Sequence, residues 1–204
     1  MINMSKPGIV LIGSGGHALS CFDVVKLENK YSISGIITIN KINNTILSAL
    51  PILGSDNDIP FIVSKYTNFL ICVGQIKTPD IRMKLYDQVI TAGGKLPTII
   101  SPLAYVSPYA TIGSGTIIMH GAIINAGVVI GENCIVNTGA IIDHEAVVNN
   151  HTHISTGVIL NGNVKVGERS FIGSGTVVKQ GINIEKNSKV PMKLTINNDF
   201  IKSG

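Results

Sequence analysis

From Ile100 onward the chain repeats a six-residue rule that neither a helix nor an ordinary strand satisfies. Ile100, Val106, Ile112, Ile118, Ile124, Ile130, Val136, Ile142, Val148, Ile154, Leu160, Val166, Ile172, Val178, Ile184 and Val190 are all aliphatic. Four places after each comes a mostly small residue, among them Ala104, Ala110, Thr116, Ala122, Cys134, Ala140, Ala146, Thr152, Ser170 and Thr176. A helix repeats at 3.6 residues and a half-buried strand at two. Here Ser114, His120, Glu132, His144 and Glu168 stand where strict alternation would require an apolar side chain. A period of six suits a coil with flat faces: one large aliphatic fills the interior of each face, and a small residue fits where the chain turns a corner. Three faces close a triangular coil of eighteen residues, and stacked coils share one continuous core as a β-helix. Residues eighteen apart then lie above one another.

Before residue 100 the grammar changes. "GIVLIG" reads as a buried strand, "HALSCFDVVKLE" as a helix, "SISGIITIN" and "NFLICVG" as second and third strands, and "PDIRMKLYDQVITAGG" as a helix closed by glycines. That alternation implies a small parallel α/β sheet with helices on its faces. The expected division is an α/β Rossmann-like domain over residues 1–98, an all-β helix over 99–192 and a tail over 193–204. Between the first strand and the first helix lies "GSGGHALS", a glycine-rich turn at a helix N-terminus, where free N–H groups and the helix dipole favour phosphate. A dinucleotide site would add an acid at the end of the second strand; this strand ends at Ile39 and Asn40, which disfavours NAD.

Charge narrows the function classes. The net charge is +4, but Lys and Arg are scattered singly, which points to anionic small molecules rather than to nucleic acid. Residues 99–131 hold no charged side chain, yet prolines, serines and regular glycines interrupt the run, so no membrane span is expected. Cys21, Cys72 and Cys134 have no metal-like spacing and fit free thiols in a reducing compartment, with the cytoplasm as the default.

Against this sparing use of charge, "IIDHEAVVNNHTHIS" stands out. In the eighteen-residue register Ala126, His144 and Gly162 form one outward column, with Asn125, Asp143 and Asn161 beside it. His144 is flanked by Asp143 and Glu145, and a neighbouring carboxylate fixes the imidazole tautomer and raises its basicity, as a general base requires. His153 lies nine residues on, half the circuit round the prism, so the two imidazoles do not easily share a site within one chain. If both act, a cyclic homotrimer with sites at subunit boundaries is the natural geometry. His120 and His151 read as solvated polar residues.

The hexapeptide pattern resembles the left-handed parallel β-helix of acyltransferases. With the front domain included, "IGSGGHA", "VGQIKTPDIRMKLY", "NTGAIIDHEAVV" and "HISTGVILNGNVKVGERSFIGSGTVV" resemble bacterial nucleotide-amino-sugar N-acetyltransferases of the sialic-acid O-acetyltransferase-like family. The resemblance runs from about residue 7 to 180. It implies an acetyl-CoA-dependent N-acetyltransferase, without a metal, acting on the 4-amino group of a nucleotide-linked 4-amino-4,6-dideoxyhexose. A dTDP sugar is favoured over UDP or GDP, and the product is destined for a surface polysaccharide such as a lipopolysaccharide O-antigen. On the matched motifs His144 looks like the catalytic base, Glu145 its orienting partner and Asn137 an active-site residue. Gly13, Ser14, Gly15, Gly16 and His17 look like the phosphate-binding loop, with Arg82 as a neutralising cation. His153, Ser155, Gly162 and Gly173 look like the acetyl-CoA site, the Gly162 amide meeting the thioester oxygen. Two alternatives stand beside this: an O-acetyltransferase of sialic acid on the same fold, and an interfacial zinc hydratase of the hexapeptide-repeat type using His120, His151 and His153. Departures occur at the C-terminus, "NSKVPMKLTINNDFIKSG", where many relatives place a coenzyme A-gripping loop, and at Ile39 and Asn40, where some place acids.

Overall fold

In the computed structural model, which describes residues 6–200, the chain forms two compact units. One runs up to Gly74 and resumes over Ile81–Pro97; the other joins Gln75–Asp80 to the stretch from Thr98 onward. The first unit is a four-stranded parallel sheet built from β1 (Gly8–Ile12), β2 (Ser32–Ile37), β3 (Ile52–Gly54) and β4 (Asn68–Ile71). Its order is β3-β2-β1-β4. The central strand is buried along Ile9, Val10, Leu11 and Ile12, the continuous apolar run that a doubly covered parallel strand needs. Helices α1 (Gly16–Glu28), α2 (Ile59–Val63) and α3 (Asp80–Thr91) complete the unit. Helix α1 ends where Asn29 turns left-handed at φ 60° and returns its N–H to the Val25 carbonyl.

This sheet holds more than the sequence reading foresaw. β3 and the short α2 were not expected, and the second strand stops at Ile37 rather than Asn40, leaving Ile39 70% exposed. The reason is length: three residues cannot display a period, and the apolar "IITI" run continues past the point where pairing stops.

The second unit is a three-sided coil of two-residue strands, the left-handed parallel β-helix of the hexapeptide class. One face stacks Ile99–Ile100, Ile117–Ile118, Ile135–Val136, His153–Ile154, Phe171–Ile172 and Lys189–Val190; we call it face A. Face B stacks Tyr105–Val106, Ile123–Ile124, Ile141–Ile142, Ile159–Leu160, Val177–Val178 and Thr195–Ile196. Face C stacks Thr111–Ile112, Val129–Ile130, Val147–Val148, Lys165–Val166 and Asn183–Ile184. Each strand pairs with the one eighteen residues away, for example Ile135 with Ile117 and His153. The second residue of each strand points inward, and from Ile118 to Val190 these positions are buried in one core.

The corners follow an equally strict rule. Every sixth residue from Gly115 to Lys193 has φ between 54° and 75°, the left-handed region. Glycine or asparagine fills most of these positions, and Glu145, His151, Arg169 and Lys193 are the costly exceptions. The small corner residues also satisfy backbone groups. Buried Thr116 donates its hydroxyl to the Gly131 carbonyl at 2.8 Å and accepts the Cys134 N–H at 2.9 Å, and Ser170 bonds Glu185 O and Ser188 N in the same way.

The coil also outlasts its expected end. Thr195–Ile196 pairs with Val177–Val178, and Phe200 bridges to Ile184, so the stretch read as a tail from residue 193 carries further strand. The three cysteines are free and buried. Among the described residues no helix is long and apolar enough to cross a membrane.

Because each coil depends on its interior aliphatic, Ile142→Ala, at a fully buried position, should lower unfolding stability by about 2–5 kcal/mol, measurable by denaturant titration. The exposed Ile123→Ala on the same face should cost far less.

Candidate active site

In the first unit the glycine-rich turn divides by role. Gly13 has φ 109°, and a Cβ there would lie 2.8 Å from the Val73 side chain, so the fold itself demands glycine. At Gly15 and Gly16 a Cβ would meet nothing within 4 Å. The fold leaves that space open at the start of α1, where unpaired N–H groups face outward. A cavity of about 450 Å³ opens there, lined by Ser14, Gly15, Gly16, Leu19, Asn40, Lys41, Asn43 and Asn44. Ser14 and Thr38 share a hydroxyl hydrogen bond of 2.7 Å at its edge. Gly13 lies beneath the turn, and His17 is half-buried with its Nε2 shut off from solvent.

Arg82 departs from its expected role. Only 1% exposed, it donates Nη1 to the Ile71 carbonyl at 2.6 Å and to the Val73 carbonyl at 3.2 Å, so its charge is held inside the sheet rather than offered to a ligand. The cation that does line the cavity is Lys41. Sequence reading missed it, although it is the single charged residue between Lys30 and Asp56.

On the β-helix, His144 occupies the corner between faces B and C. Its imidazole lies directly over Gly162: a Cβ on Gly162 would approach His144 Cε1 to 2.4 Å. The column of small residues is therefore what lets the ring lie flat against the coil. Asp143 accepts the His144 N–H at 2.8 Å and the Asn125 amide at 2.9 Å. The His144 backbone bond, with help from Asn125, holds the Asp143 carboxyl below its ordinary range, so this acid fixes the corner through the backbone. Glu145 stands 3.4 Å from His144 Nδ1, its backbone in the left-handed region at φ 59°. If Nδ1 donates to Glu145, Nε2 keeps its lone pair for an outside proton. The His144 side chain is 51% exposed.

The remaining expected residues gather elsewhere. Asn137, Ser155 and Gly173, each eighteen apart, form a column at the corner between faces A and B, beside the His153–Phe171–Lys189 column of face A. Together with Ile76, Ser174, Val190, Pro191 and Met192 they line a cavity of about 510 Å³. His153 is 5% exposed and fully engaged. Its Nδ1 faces the Gln75 carbonyl at 2.6 Å, Asn137 Nδ2 meets its Nε2 at 3.3 Å, and its ring packs edge-on against Phe171 at 5.2 Å. The Nδ1–H tautomer satisfies both contacts, leaving Nε2 to accept from Asn137. Ser155 and Ser174 share a hydroxyl bond of 2.8 Å. The structure thus places Asn137 with His153 rather than with His144, and Gly162 with His144 rather than with the other three. His120 and His151 face Ser101 and Asn133, at 2.7 and 3.0 Å. Among the described residues no three metal-ligating side chains converge.

Comparison with known proteins joins these two units. Residues 8–89 match the PglD N-terminal domain, residues 109–144 the bacterial transferase hexapeptide repeats, and residues 163–197 the hexapeptide repeat of succinyl-transferase. The chain carries a PglD-type N-terminal domain followed by hexapeptide repeats. A histidine-to-asparagine mutant of perosamine N-acetyltransferase from Caulobacter crescentus, solved with CoA and GDP-perosamine, is 29% identical to it. That match has a TM-score of 0.88 and covers 95% of this chain and 90% of the other. The acetyltransferase domain of PglB from Neisseria gonorrhoeae FA1090, solved with acetyl coenzyme A, is 28% identical at TM-score 0.88, covering 96% and 93%. WeeI from Acinetobacter baumannii AYE shares the fold at 18% identity and TM-score 0.72, covering 93% and 96%. No curated protein matches by sequence.

In the PglD-type front domain the glycine turn makes a sharp stability prediction. Gly13→Ala should destabilise by about 1 kcal/mol or more, because both φ and space oppose a side chain. Gly15→Ala should leave the melting temperature nearly unchanged.

Proposed function

We propose that the protein transfers the acetyl group of acetyl-CoA to the amine of a nucleotide-linked amino sugar, a 4-amino-4,6-dideoxyhexose on dTDP being the favoured acceptor. The observation that carries this reading is the corner at His144: an exposed imidazole, flat over Gly162, with one nitrogen turned to a carboxylate and the other free. An amino sugar's primary amine is largely protonated at neutral pH, so it needs a base within hydrogen-bond reach. His144 Nε2 takes a proton from the ammonium, and the lone pair this frees bonds the amine nitrogen to the thioester carbonyl carbon. The C–S bond then breaks and coenzyme A leaves as the thiol, receiving a proton in turn. Bound side by side, the two substrates react without the entropic cost of meeting. The Gly162 amide is the candidate donor to the oxygen that gains charge.

Substrate roles divide between the units. The nucleotide diphosphate lies at the glycine turn on Ser14, Gly15 and Gly16, with Lys41 in place of Arg82 as its countercharge. His17 and Gly13 support the turn. The acetyl-CoA arm lies in the cavity of His153, Ser155 and Gly173, with Asn137 and His153 holding one another in place. Since His144 and this cavity occupy different corners of one coil, a neighbouring copy in a cyclic trimer supplies His144 to the cavity of the next. The relatives solved with CoA, GDP-perosamine and acetyl coenzyme A support the pairing of substrates. The products are suited to assembly of a surface glycan, and the protein works in the cytoplasm.

Thiol release from acetyl-CoA, offered dTDP-, UDP- and GDP-linked 4-amino-4,6-dideoxy sugars and free sialic acid, tests the proposal. Release is expected with one nucleotide amine. His144→Ala should lower kcat by about 10²-fold or more with oligomeric state unchanged. Unaltered turnover in that variant would remove His144 as the base, and release with sialic acid alone would replace N-acetylation by O-acetylation.

A further inference from the structure

The corner that carries His144 runs on through two earlier coils. Stacking places Pro108 and Ala126 in the column of His144, and Tyr109 and Gly127 in the column of Glu145. Tyr109 is 79% exposed, the most exposed large hydrophobic side chain among the described residues. The corner itself does not ask for an aromatic, since the same column later holds Gly127, Glu145, Asn163 and Gly181. Yet the Tyr109 backbone is pinned: its N–H donates to the Ser107 hydroxyl at 3.2 Å, and its carbonyl accepts the Gly127 N–H at 3.2 Å. Between Tyr109 and the histidine no side chain larger than a methyl intervenes, and Ala126 and Gly127 are both exposed. Glu145 leans into the space over Gly127, where a Cβ would come within 3.4 Å of its Cγ, while the imidazole leans the other way, over Gly162. The ground in front of Ala126 is therefore an open notch, with Tyr109 at one end and His144 and Glu145 at the other. Two coils at the usual strand spacing make it about 10 Å long. A saturated ring in contact on both sides, at about 4 Å each, fits that length.

We propose that the hexose of the acceptor lies in this notch, its amine toward His144 and its C5–C6 side against the Tyr109 ring, so that Tyr109 selects a 6-deoxy sugar. The inference rests on the acetyl-transfer reading above and gives the choice of acceptor a residue. Direction supports it. On the coil, the cavity assigned to acetyl-CoA is lined only by residues from Asn137 onward. Rotation about the axis of a cyclic trimer keeps each coil at its own height. The thioester thus reaches His144 from the later coils, which leaves the earlier ones, those of Tyr109 and Ala126, to the acceptor. The chemistry fits as well. A 6-deoxyhexose carries a methyl where other hexoses carry a hydroxymethyl, so its C5–C6 side presents only C–H groups. An aromatic face gains dispersion contact with that side and removes apolar surface from water. A C6 hydroxyl in the same place would lose water against the ring face without a hydrogen-bond partner in exchange.

The test measures acetyl transfer to matched acceptors, a 4-amino-4,6-dideoxy sugar and its 4-amino-4-deoxy counterpart with the C6 hydroxyl intact, each linked to dTDP, UDP and GDP. The wild type should prefer the 6-deoxy member in kcat/KM by about tenfold or more, the scale on which an apolar contact discriminates. Tyr109→Ala should raise KM for that acceptor about three- to tenfold and remove most of the preference. Its KM for acetyl-CoA and its Kd for the nucleoside diphosphate alone should match the wild type. Tyr109→Phe keeps the ring face and should keep the preference. Ala126→Leu, at an exposed position, should fill the notch and raise the acceptor KM about tenfold or more with acetyl-CoA affinity intact. An unchanged acceptor KM in Tyr109→Ala or in Ala126→Leu would overturn the assignment. So would a wild type without preference, or an equal loss with both acceptors in Tyr109→Ala. If the wild type acetylated no nucleotide amine at all, the acetyltransferase reading itself would fall, an outcome distinct from wild-type transfer that is insensitive to these variants.

Discussion

The β-helix rests on one constraint: a left-handed residue every six positions, paired with one aliphatic that fills the interior of each face. That pairing sets the eighteen-residue stacking, and stacking turns sequence distance into columns. Everything proposed for the site follows from which column a residue occupies. Asn137, Ser155 and Gly173 share one corner, and His144 and Gly162 share another. The fold's stiffness also explains how a half-exposed imidazole is held still: its ring lies against Gly162, and Asp143 ties down its backbone.

Strain marks the same places. Left-handed backbone is least comfortable for residues other than glycine and asparagine, and Glu145 and Arg169 both adopt it. One stands beside the proposed base, and the other bonds Asp80. A glycine at either position would suit the backbone better, so the side chains are what these positions offer. In the first unit the reverse holds, since Gly15 and Gly16 are glycines that the fold does not require.

The β-helix was legible because its interior accepts only aliphatics, so sixteen consecutive slots displayed the rule. Its last strand escaped notice because Leu194 stands where a small corner residue was expected. The His144–Gly162 column followed directly from the period. The partnership of His153 with Gln75 did not, because Gln75 lies outside the repeat and its position depends on how residues 75–80 return to the coil. Arg82 was misread although the pattern held the answer. Arg82, Leu85, Tyr86 and Val89 recur at helical spacing on the buried face of α3, which places the guanidinium inside.

The central claim is that a site needs the His144 corner of one copy and the cavity corner of another. Mixed assembly tests it most directly: His144→Ala and the cavity-filling Ser155→Trp, each inactive alone, are unfolded together, reassembled and assayed for acetyl transfer beside wild-type protein. Random cyclic trimers should regain about a quarter of wild-type activity, since one boundary in four then joins an intact corner to an intact cavity. Mixed trimers that form normally and stay inactive would contradict a shared site.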